Sequence, residues 1–523
     1  MEKIRFSSGL VSIILLAVLL LTPAIVNATD GISVIYGPEK ISTGGDEETP
    51  QVAVDSKGNA HIVWSSSDGT YLFYKMVDSY GNVLIDETNL NPCQEPTTRH
   101  VRRPSIAVDS DGCVHVVFHG FSLYQDFGPG SYCGRIGLDA SEVIYLKINP
   151  YLDDRSGDAA DFYTITVIPE RIISTEDSIK SHAPNIAIDP LERLHVVWYD
   201  GQRRDSIDIH YLVMDVDGNT LVGEKIITTG LYIDVDWGEP EIATDPDGNA
   251  HIVYCNSSRG SSAREIYYTM INGDTGDTLI DDTRITADDG HASVRAFLAV
   301  DSNGMIHIVW HDRRLYDEGT GEHELFYSKL NPSLDDQDGS PADPTVISVI
   351  SETMITSNDG YRSYLKNIAI DPEDRVHITW VDMYGYNPEE EWGAGEIYYQ
   401  LRSADGEVII PETRITYFNG EVYPAYWWYS SGRNPDIAVT RDRAFIVFNG
   451  YKKYIEYVVE EDASTSEIEE DTSDIYLIIL SLPLPVGGRI LAANTLTLAA
   501  PYLLIMVLVI IGLAGILFKR RIS

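Results

Sequence analysis

The sequence predicts an all-β fold: a seven-bladed β-propeller closed by an N-terminal strand, with a signal peptide and one C-terminal transmembrane helix. Three observations carry this: a phrase written seven times, four strand-like pieces in each repeat, and an unmatched strand ahead of the first repeat.

The phrase is clearest at Pro50–Trp64, Pro184–Trp198, Pro240–Tyr254 and Lys366–Trp380, with further copies at Ile106–Phe118 and Leu298–Trp310. A seventh copy, Ile437–Phe448, has lost both its Asp and its His. The anchoring acids are Asp55, Asp109, Asp189, Asp245, Asp301 and Asp371, 54 to 80 residues apart. A unit this short cannot bury its own faces, so units must stack, and periods of this size mean propellers or solenoids.

Within a repeat, an apolar first strand leads into a turn such as Asp245–Asn249, where Gly and Asn tolerate positive φ. The second strand alternates with period two, as in His-Ile-Val-Trp. A third carries a hydrophobe two residues before a Tyr, from Leu72/Tyr74 to Ile397/Tyr399 and, in the last copy, Ile455/Tyr457. A short fourth strand follows, as at Thr283–Thr286 and Thr413–Thr416. Four antiparallel strands per radial unit is the propeller solution to exposed sheet edges. After Tyr457 the chain turns acidic and offers no fourth strand, while Glu39–Thr43 is an orphan that matches Glu224–Thr228. The orphan is expected to complete blade seven and protect its edge.

The ends set the expected address. Residues 1–28 have Lys3 and Arg5, an apolar run through Leu10–Leu21 and small residues at Val26–Ala28, the pattern of a secretory signal. Residues 496–518 are apolar throughout and precede Lys519-Arg520-Arg521, a bilayer-length helix with a basic cytoplasmic end at 519–523. The reading is a single-pass type I protein of the cell membrane, with the propeller (31–460) outside and an acidic stalk and juxtamembrane segment at 461–495. Within that segment, Ile475–Pro485 is either interfacial or a strand packed on the propeller. The stretch from Val486 to the basic end looks like the carboxy-terminal anchoring regions of some archaeal surface proteins.

With 80 acidic and 38 basic residues, the chain carries a net charge of −42, which argues against a nucleic-acid partner. Of four cysteines, Cys93 and Cys133 belong to one blade and one face and form the candidate disulfide; Cys113 and Cys255 are expected unpaired.

The histidines His61, His115, His195, His251, His307 and His377 recur at equivalent positions. Equivalent positions in different blades point away from one another, so no metal gathers them, and they read as structural, hydrogen-bonded to backbone or to the repeat Asp. No cofactor is expected; calcium at Asp215–Asn219 or Asp245–Asn249 is left open, although each lacks the distal bidentate acid of a full calcium loop.

Function must lie in what differs between blades, the loops after the second strand and before the next first strand, all on one face. The candidate ligand-binding residues there are Tyr423, Tyr426, Trp427, Trp428 and Arg433, with Arg295, Arg362, Asp312 and Arg313. Aromatic planes and arginines suit saccharides or carboxylates by stacking and bidentate hydrogen bonds. The plainer reading of the Asp-x-Arg pattern at Asp312/Arg314 is a local pair within its blade. No residue is identified as catalytic.

From Ala-Val-Asp through His-Ile-Val-Trp, then Asp-x-Arg and Ile-Tyr-Tyr, the repeat resembles that of extracellular propellers in prokaryotic surface proteins. These are commonly grouped with the sialidase-like superfamily. The resemblance spans about residues 39–460 and implies a fold. Sialidases themselves have six blades, an arginine triad and a Tyr–Glu pair; this chain has seven repeats, and its nearest box, Ser66–Thr70, has the wrong spacing. The expected function is a membrane-anchored adhesion or recognition module whose partner is an extracellular glycan or surface protein. The alternative is a sialidase-like glycoside hydrolase or lyase.

Overall fold

The computed structural model describes residues 31–91, 101–125, 134–201, 207–231, 239–256, 264–383, 395–418, 422–424, 435–459 and 465–483. Six four-stranded antiparallel sheets and one five-stranded sheet make seven blades. Blade I is Glu47–Val54, Ala60–Ser66, Leu72–Val77 and Val83–Asn89; blade II is Arg102–Val108, Val114–Gln125, Gly134–Ile148 and Thr166–Ile172. Blades III to VI start at Ser181, Glu241, Ser293 and Ser363. The first strand of each blade touches that of the next around the whole ring, blade VII meeting blade I. Core clusters lie between neighbouring blades, so burial is shared rather than internal to a blade.

The repeated phrase has a physical reading in each of blades I–VI. The Asp accepts backbone N–H groups of its own turn, as Asp55 does from Lys57 and Asn59 and Asp245 from Asp247 and Asn249. Its second oxygen faces the buried His six residues on, at 3.0–3.3 Å. The other ring nitrogen meets the third-strand Tyr hydroxyl at 2.7–2.8 Å. Opposite each His on the first strand stands an Ala, from Ala53↔His61 to Ala369↔His377, which leaves room for the ring. Burial works against ionising these acids, but the His and backbone hydrogen bonds prevail and hold Asp109, Asp245 and Asp301 at about 2. Burial lowers His115, His307 and His377 below the usual range. In these three blades the imidazole is therefore neutral: Nε2–H donates to the carboxylate and Nδ1 accepts from the phenol.

Blade VII corrects the sequence reading. Its five strands are Asp436–Val439, Arg443–Val459, Thr465–Ser481, the N-terminal Ser33–Lys40, which pairs with Thr465–Ser481 on the outer edge, and the two-residue Tyr423–Pro424, which also pairs with Arg443–Val459. Closure by the N-terminus holds, with the closing strand starting at Ser33 rather than Glu39. Residues 465–474, expected to be stalk, and the start of Ile475–Pro485, for which a strand packed on the propeller was one of two expectations, together form the third strand, with Ile475, Leu477 and Ile479 fully buried. Ile455 and Tyr457 lie on the extended second strand. The continuous apolar run Ile475–Leu480, buried on both faces, outweighs the acidic run before it. In this blade Thr440 replaces the Asp, Phe445 the His and Leu477 the Tyr, with Ala438 still opposite Phe445. The three polar partners vanish together.

Blades I–III and IV–VI are two copies of one three-blade unit. Blades II and V alone carry Asn-Pro-x-Leu-Asp-Asp insertions, Asn149–Asp154 and Asn331–Asp336, ahead of the fourth strand. Each insertion latches onto the preceding blade by an isolated bridge, Asp86↔Ala159 and Asp281↔Pro341. Lys147 and Lys329 sit 3.4 Å from the repeat acids Asp109 and Asp301. Arg193 in blade III and Arg375 in blade VI each clamp the Asp of their own turn.

Among the described residues no helix is long and apolar enough to cross a membrane. The expected signal peptide 1–28, the membrane helix 496–518 and the candidate pair Cys93/Cys133 lie outside the described residues. Cys113 and Cys255 are buried and not in a disulfide. Asp215 and Asp245, in the two turns considered for calcium, turn their oxygens to the N–H groups of Asn219 and Asn249. Among the described residues no group of three or more His, Cys, Asp or Glu is gathered for a metal.

Candidate functional site

The loop-rich face is shaped by a bulge near the start of the first strand. In blades I, II, III and V the register slips there. One residue at each bulge takes a left-handed conformation: Thr49 (φ 53°), Arg103 (51°), Ala183 (53°) and Arg295 (55°). That conformation costs a non-glycine residue about 1–2 kcal/mol, and bulges of this kind re-aim side chains at barrel and propeller rims. In the two equivalent blades, II and V, the re-aimed residue is an arginine.

Around Arg295 the structure gathers an aromatic and cationic cluster. The Arg295 guanidinium lies 4.9 Å from the Tyr364 ring centroid. Tyr364 meets His311 edge-on at 4.8 Å, and His311 stands 4.8 Å from His323. His323 meets Tyr316 edge-on at 4.7 Å, and the Arg362 guanidinium lies 5.3 Å from Tyr316 while pairing with Glu322 at 2.8 Å. Arg313 approaches the same Tyr316 ring at 5.8 Å and pairs with Asp317 at 3.3 Å. Burial, then the cationic Arg362 and Arg313, push His323 down to about 4. It is a neutral ring at neutral pH, nine-tenths buried, with no hydrogen-bond partner on either nitrogen among the described residues. Guanidinium forks, ring faces and a neutral imidazole in one patch can hold a carboxylate and stack a sugar.

The equivalent cluster at blades II and III is built from Arg103, His119, His182 and Tyr199. His119 and His182 stand 6.4 Å apart, His182 and Tyr199 6.1 Å, and the Ala183 N–H donates to His119 Nδ1 at 3.3 Å. Arg103 reaches past blade III to Glu239, at the entry to blade IV, with an N–O distance of 2.9 Å.

Of the residues singled out from sequence, the structure brings Arg295, Arg362 and Arg313 into one cluster. Asp312 belongs to the fold: it is 2% exposed and accepts hydrogen bonds from Arg314 (2.8 and 2.9 Å), Ser293 (2.9 Å) and Trp310 Nε1 (3.2 Å). That is the local Asp–Arg pair, and it corrects Asp312 as a ligand contact. Tyr423 pairs by its backbone with Tyr451; Tyr426, Trp427, Trp428 and Arg433 lie outside the described residues. Sequence reasoning missed His311, His323, Tyr316 and Tyr364. A signal existed: a His directly follows the second-strand aromatic only in blades II (Phe118-His119) and V (Trp310-His311).

No protein-family model matches the chain, and no curated protein does. Among solved structures it is similar to polysaccharide lyase Uly1, at 12% identity over 88% of this chain and 94% of that one, with a TM-score of 0.46. A polysaccharide lyase described as an ulvan lyase of a new family gives 11% identity, 84% and 95% coverage and 0.46. The α-L-arabinanase of Penicillium chrysogenum with arabinobiose gives 10%, 74%, 94% and 0.42. At these values the likeness bears on neither substrate nor activity, and the propeller rests on its own strand pairing.

Proposed function

We propose that the protein is a membrane-anchored extracellular recognition module that binds an acidic glycan, free or carried on a surface protein, at the mouth of its propeller. The observation that carries this reading is the gathering of Arg295, Arg362 and Arg313 with Tyr316, Tyr364 and two histidines on one face. In a chain of net charge −42, a local concentration of guanidinium groups selects for anions there and nowhere broad. The segment 496–518 tethers the propeller to the membrane, and the run Tyr423–Tyr429 with Arg433 extends the binding surface.

Hydrolysis by two converging carboxylates is the competing reading; three described acids of this face are engaged by neighbouring side chains. Asp312 is held by Arg314, Glu324 by Thr356 and Asp382 by Ser363. The test is a glycan-array screen of the full chain with released sugar assayed in parallel. A bidentate arginine–carboxylate contact is worth about 1.5–3 kcal/mol, so Arg295→Ala is expected to weaken binding roughly 10- to 100-fold. Unchanged binding by a folded Arg295→Ala protein overturns the site, and released sugar moves the reading to an enzyme.

A further inference from the structure

A cavity of about 330 Å³ opens between blades IV and V, away from the mouth. It lies where the end of blade IV's fourth strand, Thr278–Arg284, faces the third and fourth strands of blade V, Glu324–Leu330 and Ser348–Met354. Fourth strands are the outermost of each sheet, so the space is a groove on the flank of the ring. No residue of the Arg295 cluster lines it.

The three-blade duplication shows why the space exists. Counting from Asn149 and Asn331, which open the two insertions, Ser328, Pro344, Thr345 and Ser351 of blade V correspond to Leu146, Phe162, Tyr163 and Pro169 of blade II. Leu146 is fully buried and Phe162 is 6% exposed, and both belong to the core cluster between blades I and II. The Phe162 ring meets Tyr163 edge-on at 5.4 Å. Two rings and a leucine thus occupy in blade II what a proline, a threonine and a serine leave open in blade V.

A second observation comes from the third-strand position of Ser328. In blades I and VI it holds Lys75 and Gln400, which cross the blade boundary to the carbonyls of Ile41 (3.0 Å) and Ile355 (3.2 Å). Ser328 turns back instead and donates to the Ile350 carbonyl of its own blade at 2.7 Å. Nothing from this position reaches Ile285, the counterpart of Ile41 and Ile355. A gap that two other blades bridge with a long side chain stays open here.

The charges around the gap are already matched. Arg284 pairs with Asp288 at 3.0 Å, and Glu352 accepts from Arg314 and from the Ala287 N–H, each at 2.6 Å. An anion would meet Asp288 and Glu352 as well as Arg284, and a cation would meet Arg284 and Arg314. An apolar occupant would cover the hydroxyls of Ser348 and Ser351 without giving them a partner. The lining suits an uncharged molecule with hydroxyls at its edge and C–H groups on its faces. Its hydroxyls can donate to Glu352 and accept from Arg284, while its C–H face lies on Leu330 and Pro344. Small-molecule sites run from about 300 to 1,000 Å³, so this one, at about 330 Å³, takes a single sugar unit.

We propose that the groove between blades IV and V is a subsite for one uncharged sugar ring, a neutral hexopyranose of a glycan. It is separate from the acidic-glycan reading of the mouth, and either stands if the other fails.

The experiment titrates the full-length protein with the methyl α-glycosides of D-glucose, D-galactose and D-mannose, followed by saturation-transfer NMR. At least one is expected to bind wild type. Ser328→Leu with Thr345→Tyr copies the filled groove of blade II; it should weaken that binding by at least roughly 10-fold and leave the melting temperature unchanged or raised. Arg284→Asn, which copies Asn89 of blade I, should weaken it by about 3- to 10-fold. Sodium D-glucuronate at equal concentration is expected to leave the bound glycoside in place. Unchanged binding by the folded double variant overturns the subsite; if that variant does not fold by circular dichroism, unchanged binding by Arg284→Asn does so. Absence of binding by wild type overturns it as well, and displacement by glucuronate overturns the uncharged ligand class.

Discussion

Replacing His251 by Phe tests whether the His, Asp and Tyr of each blade act as a unit. His251 is fully buried, 2.8 Å from the Tyr268 hydroxyl and 3.2 Å from Asp245. Phe fits the space sterically, since Phe445 occupies it in blade VII opposite Ala438, as His251 stands opposite Ala243. The substitution strands the buried Tyr268 hydroxyl, at about 1–3 kcal/mol, and takes one hydrogen bond from a charged Asp245, at about 1.5–3 kcal/mol. The added apolar burial returns roughly 1 kcal/mol, so the single change should cost about 1.5–5 kcal/mol. The triple change Asp245→Thr, His251→Phe, Tyr268→Leu copies Thr440, Phe445 and Leu477, and removes the polar demands together. It should recover at least half of the summed cost of the three single changes, a coupling within the range of contacting residues. Urea unfolding followed by tryptophan fluorescence measures all four variants. Strict additivity would mean that the three side chains act independently, and would refute the unit.

Two further outcomes are expected. Burial raises Glu142 and Glu265 to about 7 and Glu324 to about 8, against the hydrogen bonds from Ser174, Thr286 and Thr356. A carboxyl with a raised folded-state pKa contributes stability that is complete below its unfolded value near 4.3 and is lost as pH rises through 7–8. The melting temperature should therefore fall between pH 5 and pH 8, and Glu324→Gln should flatten the slope; an unchanged slope removes Glu324 as a cause. Second, a chain ending at Glu460 lacks the third strand of blade VII and should not melt cooperatively, whereas one ending at Pro485 should. Deleting Gly31–Gly45 removes only the outer strand, with its Lys40–Asp474 pair at 2.6 Å, and should lower the melting temperature less than the loss of Ile475–Leu480.

The blade plan was legible in the sequence because each repeat pairs a period-two strand with a turn acid and a fixed offset to His. The structural role of the six histidines follows from the same repetition, and the Tyr hydroxyl that completes them was visible as the constant third-strand tyrosine. Blade VII was misread where these signals fail together: Thr440 stands in place of the turn acid, and the Tyr457 that mimics the motif lies on an overlong second strand. The site was only half legible. Arg295, Arg313 and Arg362 stood out as loop arginines, but His311 and His323 lie in or beside regular strands and are brought to Tyr364 of the next blade only by the ring. Contacts between blades are set by closure, and local spacing carries no record of them.

Duplication explains why the odd blade is VII. Two three-blade units bring six complete His–Asp–Tyr sets, and a ring of seven needs one blade that joins chain ends instead of repeating the unit. There the second and third strands are long, the polar set is replaced by Phe445 and Leu477, and Asp436 binds both neighbours: Asn367 of blade VI at 2.5 Å and the Val52 N–H of blade I at 2.7 Å. One closing blade thus seals the ring without the His–Asp–Tyr set that the other six share.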